Sequence, residues 1–477
     1  MGSAECVILA GLTDNQKSYL RIPPATRVIE ITILSEVEKQ LSSLELPKRE
    51  ELRCRSSEVL EALVLAHRTG KRLVVDEAAK AISESSTKGN GIVVVEAVAD
   101  ASTVLAINYA SSVGAGVLLV APLADHDGQG ILKSIELWKR GDDRTQLEKL
   151  KDEVMRRIGR ACFAEFDHAT FFTEGLPYSL VLENCIPCCY VHLSLNPDLF
   201  IIDSIIFEKL QDIHSAIVFS PLFFPDEETS TLCGFLSRNR YYVRSLLGRS
   251  ASLASFDFHA QHFPYALLHI CSHGGEVDGY EMVEEFVDRD GNKHTVQFDE
   301  VIGVTPVPDN DKIVEVHRKM FPRTLDGFAW RSEELSQGQY PEYVIAQMWD
   351  CMRRSTGTRK SKGKVPMSCS IACVDSIHQG QFHVLASHRS PIVFNNACWS
   401  GHEVAKFFLA CAARAYIGTL WAVENEAAVT AARVFYENVL TEPVLYAMHK
   451  ANKALDKTNS KDIYIYWGLP WLCPESC

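Results

Sequence analysis

Pro391-Ile-Val-Phe-Asn-Asn-Ala-Cys-Trp-Ser-Gly401 is an apolar run that stops abruptly at small and polar residues, and Tyr265-Ala-Leu-Leu-His-Ile-Cys-Ser-His-Gly-Gly275 repeats that plan. Each reads as a strand followed by a tight turn. Cys398 and His273 thus fall just past strand ends, where open α/β sheets build their sites. Ser400-Gly-His-Glu403 fits a Ser-x-x-Glu capping box, which predicts a helix from that point to about Arg414. A thiol just before a helix N-terminus meets the positive end of the helix dipole, which favours the thiolate.

On the neighbouring strand end, Gly274 and Gly275 leave the backbone beside His273 bare. The imidazole can generate the thiolate and later protonate a leaving amine, while the N–H groups of Gly274 and Cys398 hold an oxyanion. Taken singly, a cysteine in a strand-to-helix turn and a histidine ending a strand are ordinary packing residues. Their shared context raises the functional reading. His402 is a secondary candidate, and no residue that orients His273 can be named from the sequence.

Gly91-Ile-Val-Val-Val-Glu-Ala-Val98, a helix capped by Asp100 and reaching about Val113, and Gly116-Val-Leu-Leu-Val-Ala121 make a βαβ unit. The turn Ala99-Asp-Ala-Ser-Thr103 has no Gly-x-Gly-x-x-Gly, so a dinucleotide site is not indicated; a phosphate or cyclic nucleotide at the Asp100 terminus stays open. Residues 35–81 and 133–161 read as charged helices, and 171–207, broken by Pro177, Pro187 and Pro197, as strands and turns. The boundary falls at 212–215, dividing an N-terminal α/β section (1–211), Rossmann-like or a degenerate caspase-like copy, from a second section (212–477). In the latter, Ala216–Pro221 and Tyr241–Leu247 read as strands and Glu227–Leu236 as a helix. Asp290-Gly291 marks a hairpin. Residues 305–390 form an insertion, and its basic run Arg353–Lys364 reads as a solvated, disordered loop or a docking element.

The chain has 477 residues, 47% hydrophobic and 23% charged, which suits a globular protein of two to three domains. A net charge of −13 argues against broad nucleic-acid binding. With no long apolar run and no leader-like start, a cytoplasmic protein without a membrane partner is expected. The 15 cysteines are irregularly spaced, many in apolar segments, as reduced core thiols are. Cys185-Ile-Pro-Cys188 lacks a second pair, and Cys369 with Cys373 fares no better, so neither a metal nor a cofactor is expected. No internal repeat of 20 to 50 residues is visible.

His269-Ile-Cys-Ser-His-Gly274, Val393-Phe-Asn-Asn-Ala-Cys-Trp-Ser-Gly401, Phe407–Ala428 with its Gly418-Thr-Leu-Trp421, Val434–Leu440, and Tyr464-Ile-Tyr-Trp-Gly-Leu-Pro470 resemble, in that order, the CHAT domain of the caspase-like cysteine peptidases. The resemblance spans about residues 212–473. It implies a caspase–hemoglobinase fold, a mostly parallel sheet flanked by helices, with His273 and Cys398 as catalytic dyad and a protein as substrate. Trp399 stands where that family often has an acidic residue, and an insertion of roughly 85 residues, entropically cheap in a loop, lengthens the spacing between the dyad residues. Trp421-Ala-Val-Glu-Asn-Glu426 follows the next strand, so Glu424 or Glu426, with Trp421, is a candidate for the pocket receiving a basic P1 residue. The same carboxylates suit the first turn of a helix starting near Ala427. The whole is similar to regulated peptidases of prokaryotic antiviral systems, with the N-terminal section a regulatory or dimerising module through which an activating partner or small ligand acts. The alternative is an inactive caspase-like signalling scaffold or ligand sensor.

Overall fold

The computed structural model describes every residue except 1–5, 19, 21, 23–25, 42–48, 82–88, 99–100, 123–143, 160–162, 183–184, 210–212, 226, 276, 308–309, 331, 337–339, 366–367, 369, 379–381, 457, 459–462 and 475–477. The Asp100 cap, the 212 end of the boundary and Cys369 therefore lie outside the described residues.

Among the described residues ten strands form one central sheet, numbered here in chain order. They are β1 Gly91–Glu96, β2 Gly116–Val120, β3 His168–Thr173, β4 Cys188–His192, β5 Ser215–Ser220, β6 Tyr242–Leu247, β7 Leu267–Ile270, β8 Ile392–Asn395, β9 Ala415–Thr419 and β10 Tyr464–Trp467. Their spatial order is β6-β5-β7-β8-β9-β10-β4-β3-β1-β2. All neighbours are parallel except β9 and β10. Because β10 runs against β9 but along β4, strands β1–β4 point opposite to β5–β9. The carboxyl ends of the two sets consequently lie on opposite edges of the sheet.

β1, β5 and β9 are buried along their whole length, as strands of a mostly parallel sheet covered on both faces must be. One apolar core runs through both sections, from Val94 and Phe171 to Val218, Phe394 and Ile465. The chain is an α/β protein with a large, mostly parallel sheet flanked by helices. Both sections use the same strand order, second-first-third-fourth, in β1–β4 and again in β5–β8. No repeat of the residues themselves accompanies this recurrence.

Three local expectations are corrected. Within 35–81, Glu51–Cys54 and Arg72–Val75 pair as parallel strands on either side of the helix Val59–Thr69, because Leu-Val-Val and Leu-Arg-Cys favour the sheet once paired. Pro197 opens the helix Pro197–Lys209 instead of ending a strand; proline suits a first helical position, whose N–H needs no intrahelical acceptor. The basic run is ordered: Arg353 and Arg354 finish the helix Glu342–Arg354, and Lys360–Lys364 is an edge strand pairing with Asp278–Glu281.

That edge strand belongs to a five-stranded antiparallel sheet inserted between His273 and Cys398. The hairpin expected at Asp290-Gly291 forms its middle, Val287 facing Lys293. Met282, Phe298 and Leu325 bury one face against Val344, Met348 and Met352 of the helix. Asp299 and Glu300 are fully buried. Arg323 and Lys362 pair with Asp299, and Arg318 and Arg359 with Glu300, so the basic run is bound to carboxylates some 60 residues earlier in the chain. Among the described residues no helix is long and apolar enough to cross a membrane.

Candidate active site

β7 and β8 are adjacent and parallel, Ile270 beside Asn395, so the segments that follow them emerge at one sheet edge. His273 is exposed there and Cys398 partly exposed, with a free thiol. The two segments touch: a Cβ built on Gly274 would lie 2.6 Å from Ala397 Cβ and 2.9 Å from Cys398 O. Only glycine fits at 274. Gly275, at φ 125°, holds a backbone conformation closed to side chains and sits against the Trp399 indole.

The register of a small strand pair disposes the Gly274 N–H. Gly274–Gly275 pairs with Ser370–Ile371, and the Ala372 N–H donates to His273 O at 2.9 Å. Hydrogen-bonded and non-hydrogen-bonded pairs alternate in an antiparallel ladder, so Gly274 faces Ile371 in a non-hydrogen-bonded pair. Its N–H is turned away from that ladder.

The turn carrying Cys398 is bolted to β9. Thr419 Oγ1 donates to Ala397 O at 2.8 Å and the Gly401 N–H to Thr419 O at 2.8 Å. Tyr416 donates to Ser400 O at 2.9 Å, while Asn395 Oδ1 accepts from the Ala397 N–H at 3.0 Å. Within this frame Trp399 takes φ 58°, a left-handed conformation that costs a bulky residue about 1–3 kcal/mol and that clusters at functional sites.

The capping box is not formed. The Ser400 hydroxyl donates to Asn395 O and accepts from the Thr419 N–H, both at 3.0 Å, and the helix spans only Glu403–Ala410 with His402 at its N-cap. Two backbone groups at the strand ends compete successfully for that hydroxyl. Since the dipole effect decays within a turn, its help to Cys398 is smaller than the sequence implied. His402 is buried.

His273 is held by rings. Phe224 meets it edge-on with centroids 4.6 Å apart, and Phe223 stacks on it at 5.4 Å. Both come from the loop after β5, residues that sequence reasoning did not single out. Beneath the site lies a second feature it missed. Glu228, on the helix Glu227–Arg238, accepts from His269 Nε2 and Asn396 Nδ2, both at 2.7 Å, and from the Cys271 thiol at 3.5 Å. Burial pushes this carboxyl up, but the His269 bond and charge outweigh it and hold it below the usual range. The signal was a histidine inside the apolar run Leu267-Leu-His-Ile270 and the doublet Asn395-Asn396.

The Trp399 N–H donates to Trp421 O at 3.3 Å, so Trp421 is brought to the site. Glu424 and Glu426 are both exposed, Glu424 at the N-cap and Glu426 in the first turn of the helix Asn425–Val439; the Glu424 side chain makes no cap bond. Among the described residues no group of three or more His, Cys, Asp or Glu is placed to hold a metal. Neither the protein-family models nor the curated proteins compared with the chain include a match to it.

Proposed function

We propose that the chain is a cysteine endopeptidase whose C-terminal section has the caspase–hemoglobinase arrangement and whose dyad is His273 and Cys398. The observation that carries this reading is the seating of Gly274 against the Cys398 turn, which brings the segments bearing the two candidate residues into contact. In the proposed reaction the Cys398 thiolate attacks the scissile carbonyl, forming the C–S bond as the carbonyl electrons move to oxygen. The N–H groups of Gly274 and Cys398 hold that oxyanion. Collapse breaks the C–N bond, and the amine leaves with the proton carried by His273. A water deprotonated by the same imidazole then hydrolyses the thioester and restores the thiol.

Support for a basic P1 preference is the position of Glu424 and Glu426 beyond Trp421, on the segment tied to the Cys398 turn. A cytoplasmic role in antiviral defence, with an activating partner acting through residues 1–211, extends the resemblance. The test is labelling by a thiol-directed peptidyl probe together with new protein N-termini in cells expressing wild type, Cys398→Ala or His273→Ala. Loss of both signals in each variant is expected. Equal labelling of all three would replace the peptidase with a binding scaffold, and unchanged cleavage after Lys and Arg in Glu424→Gln and Glu426→Gln would remove the pocket.

A further inference from the structure

A cavity of about 350 Å³ opens between the helices Glu227–Arg238 and Asn425–Val439. Its size falls in the range of small-ligand sites. Leu232, Phe235, Val429 and Ala432 line it with apolar surface, and Glu228 and Tyr436 supply polar groups. Glu228 lines the cavity and is only 7% exposed, so the residue lies at the back of the cavity and not on an open face.

The donors already present leave a specific vacancy in Glu228's bonding. Oε1 accepts two strong donors, His269 and Asn396, whereas Oε2 accepts only the weakly donating Cys271 thiol among the described residues. A guanidinium fork needs two receptive oxygens; a compact ammonium needs one. At the mouth Arg433 is paired with Glu437 at 3.6 Å, and Arg238 Nε donates to Gly234 O. Phe235 and Tyr436 offer aromatic surface to a cation and its alkyl chain.

The network behind the cavity reaches both candidate catalytic segments. Cys271 stands two residues before His273, and Asn396 two before Cys398. Asn396 also donates to Ala428 O on the cavity's second helix at 3.0 Å, and Tyr436 bonds His269 Nδ1 at 3.3 Å. An occupant that engages Glu228 therefore bears on the elements that set the spacing of the dyad.

We propose that this cavity is a regulatory site for a primary ammonium on an apolar chain, either a free alkylamine or the lysine side chain of a partner, and that its occupancy alters the reactivity of Cys398. The inference does not rest on peptidase activity. Calorimetric titration of the full chain uses n-hexylamine, n-hexanol and an acetylated lysine-containing hexapeptide. Saturable amine binding is expected, weakened at least tenfold in hexanol, in Glu228→Gln and in Thr231→Trp, whose exposed side chain would block the mouth without entering the network. Binding of the peptide with the same dependence assigns the occupant to a partner's lysine; binding of the free amine alone assigns it to a small ligand. The alkylation rate of Cys398 by iodoacetamide, followed by mass spectrometry, should change at least threefold on saturation in wild type and not in Glu228→Gln. No saturable binding, or equal binding by hexanol or by both variants, overturns the site, and an unchanged alkylation rate overturns its regulatory role.

Discussion

At residue scale, the two glycines after His273 do different work and should fail differently. Alanine at 274 forces its Cβ into Ala397 and Cys398 O, so the two segments must separate. Overpacking of this kind costs about 1–3 kcal/mol, and here the displacement falls on the segments that carry the proposed dyad. Gly274→Ala is expected to cut probe labelling of Cys398 at least 100-fold while circular dichroism stays native. Gly275→Ala meets only the Trp399 indole, at an ordinary 3.6 Å, but must hold φ 125°, so it should lower the melting temperature and spare more of the labelling. A second residue-scale outcome separates the bond Ser400 makes from the one its sequence motif promised. Ser400→Ala leaves a buried Thr419 N–H unsatisfied and should cost about 2–3 kcal/mol, whereas Glu403→Ala removes a surface pair with Lys406 and should cost under about 0.5 kcal/mol in urea unfolding. A true capping box would make the two losses comparable. The candidate site was legible here as far as strand ends and bare glycines reach, since both are local. The Ser400 bonds were not, because their partners sit on β8 and β9 and the local motif competed with them.

At the scale of elements, the edge strand Lys360–Lys364 shows why charge patterning misled. A run of basic residues is solvated unless carboxylates elsewhere claim it, and Asp299 and Glu300 do so from a strand far upstream. Burial pushes the Glu300 carboxyl up, but Arg359 and Arg318 outweigh it and hold it below its ordinary value. A depressed carboxyl contributes stability that is present above the unfolded value of about 4.3 and is lost as pH falls through the lower folded value. Amide exchange in residues 360–364, corrected for intrinsic rate, should therefore rise more steeply below pH 4 than that of β5; identical profiles would show that the pairs do not hold the strand. The hairpin turn carries the opposite sign. Burial pushes His294 down, but hydrogen bonds to Asp326 at 2.7 Å and Asp288 at 3.3 Å hold it above its usual range. Its contribution is complete below the unfolded value of about 6.5 and fades as pH rises through the folded one. The stability difference between wild type and His294→Gln should shrink from pH 6 to pH 9, and a difference that grows would contradict the ion-pair account.

Across the whole molecule, β10 is the joint. The recurrence of one strand order in β1–β4 and β5–β8 was invisible in the residues, because topology repeats through direction and adjacency while the side chains diverge. A division of the chain at 212–215 is the expectation from the sequence, yet nothing in the residues signals that the last strand returns to lie between the two sets. Trp467 makes that joint. It faces Tyr190 across the β10–β4 pair, its ring lies 5.4 Å from Tyr190 and 5.5 Å from His192, and its Nε1–H donates to Gly401 O at 2.8 Å, three residues after Cys398. With one core shared through this strand, wild type should unfold in a single calorimetric transition. Trp467→Ala removes a fully buried indole, about 3–5 kcal/mol, and should split that transition in two as the sets uncouple. Trp467→Phe keeps much of the packing but loses the bond to Gly401, so it should retain one transition while slowing Cys398 labelling. If Trp467→Ala still melts in one step, the two sets are coupled elsewhere and β10 is not their joint.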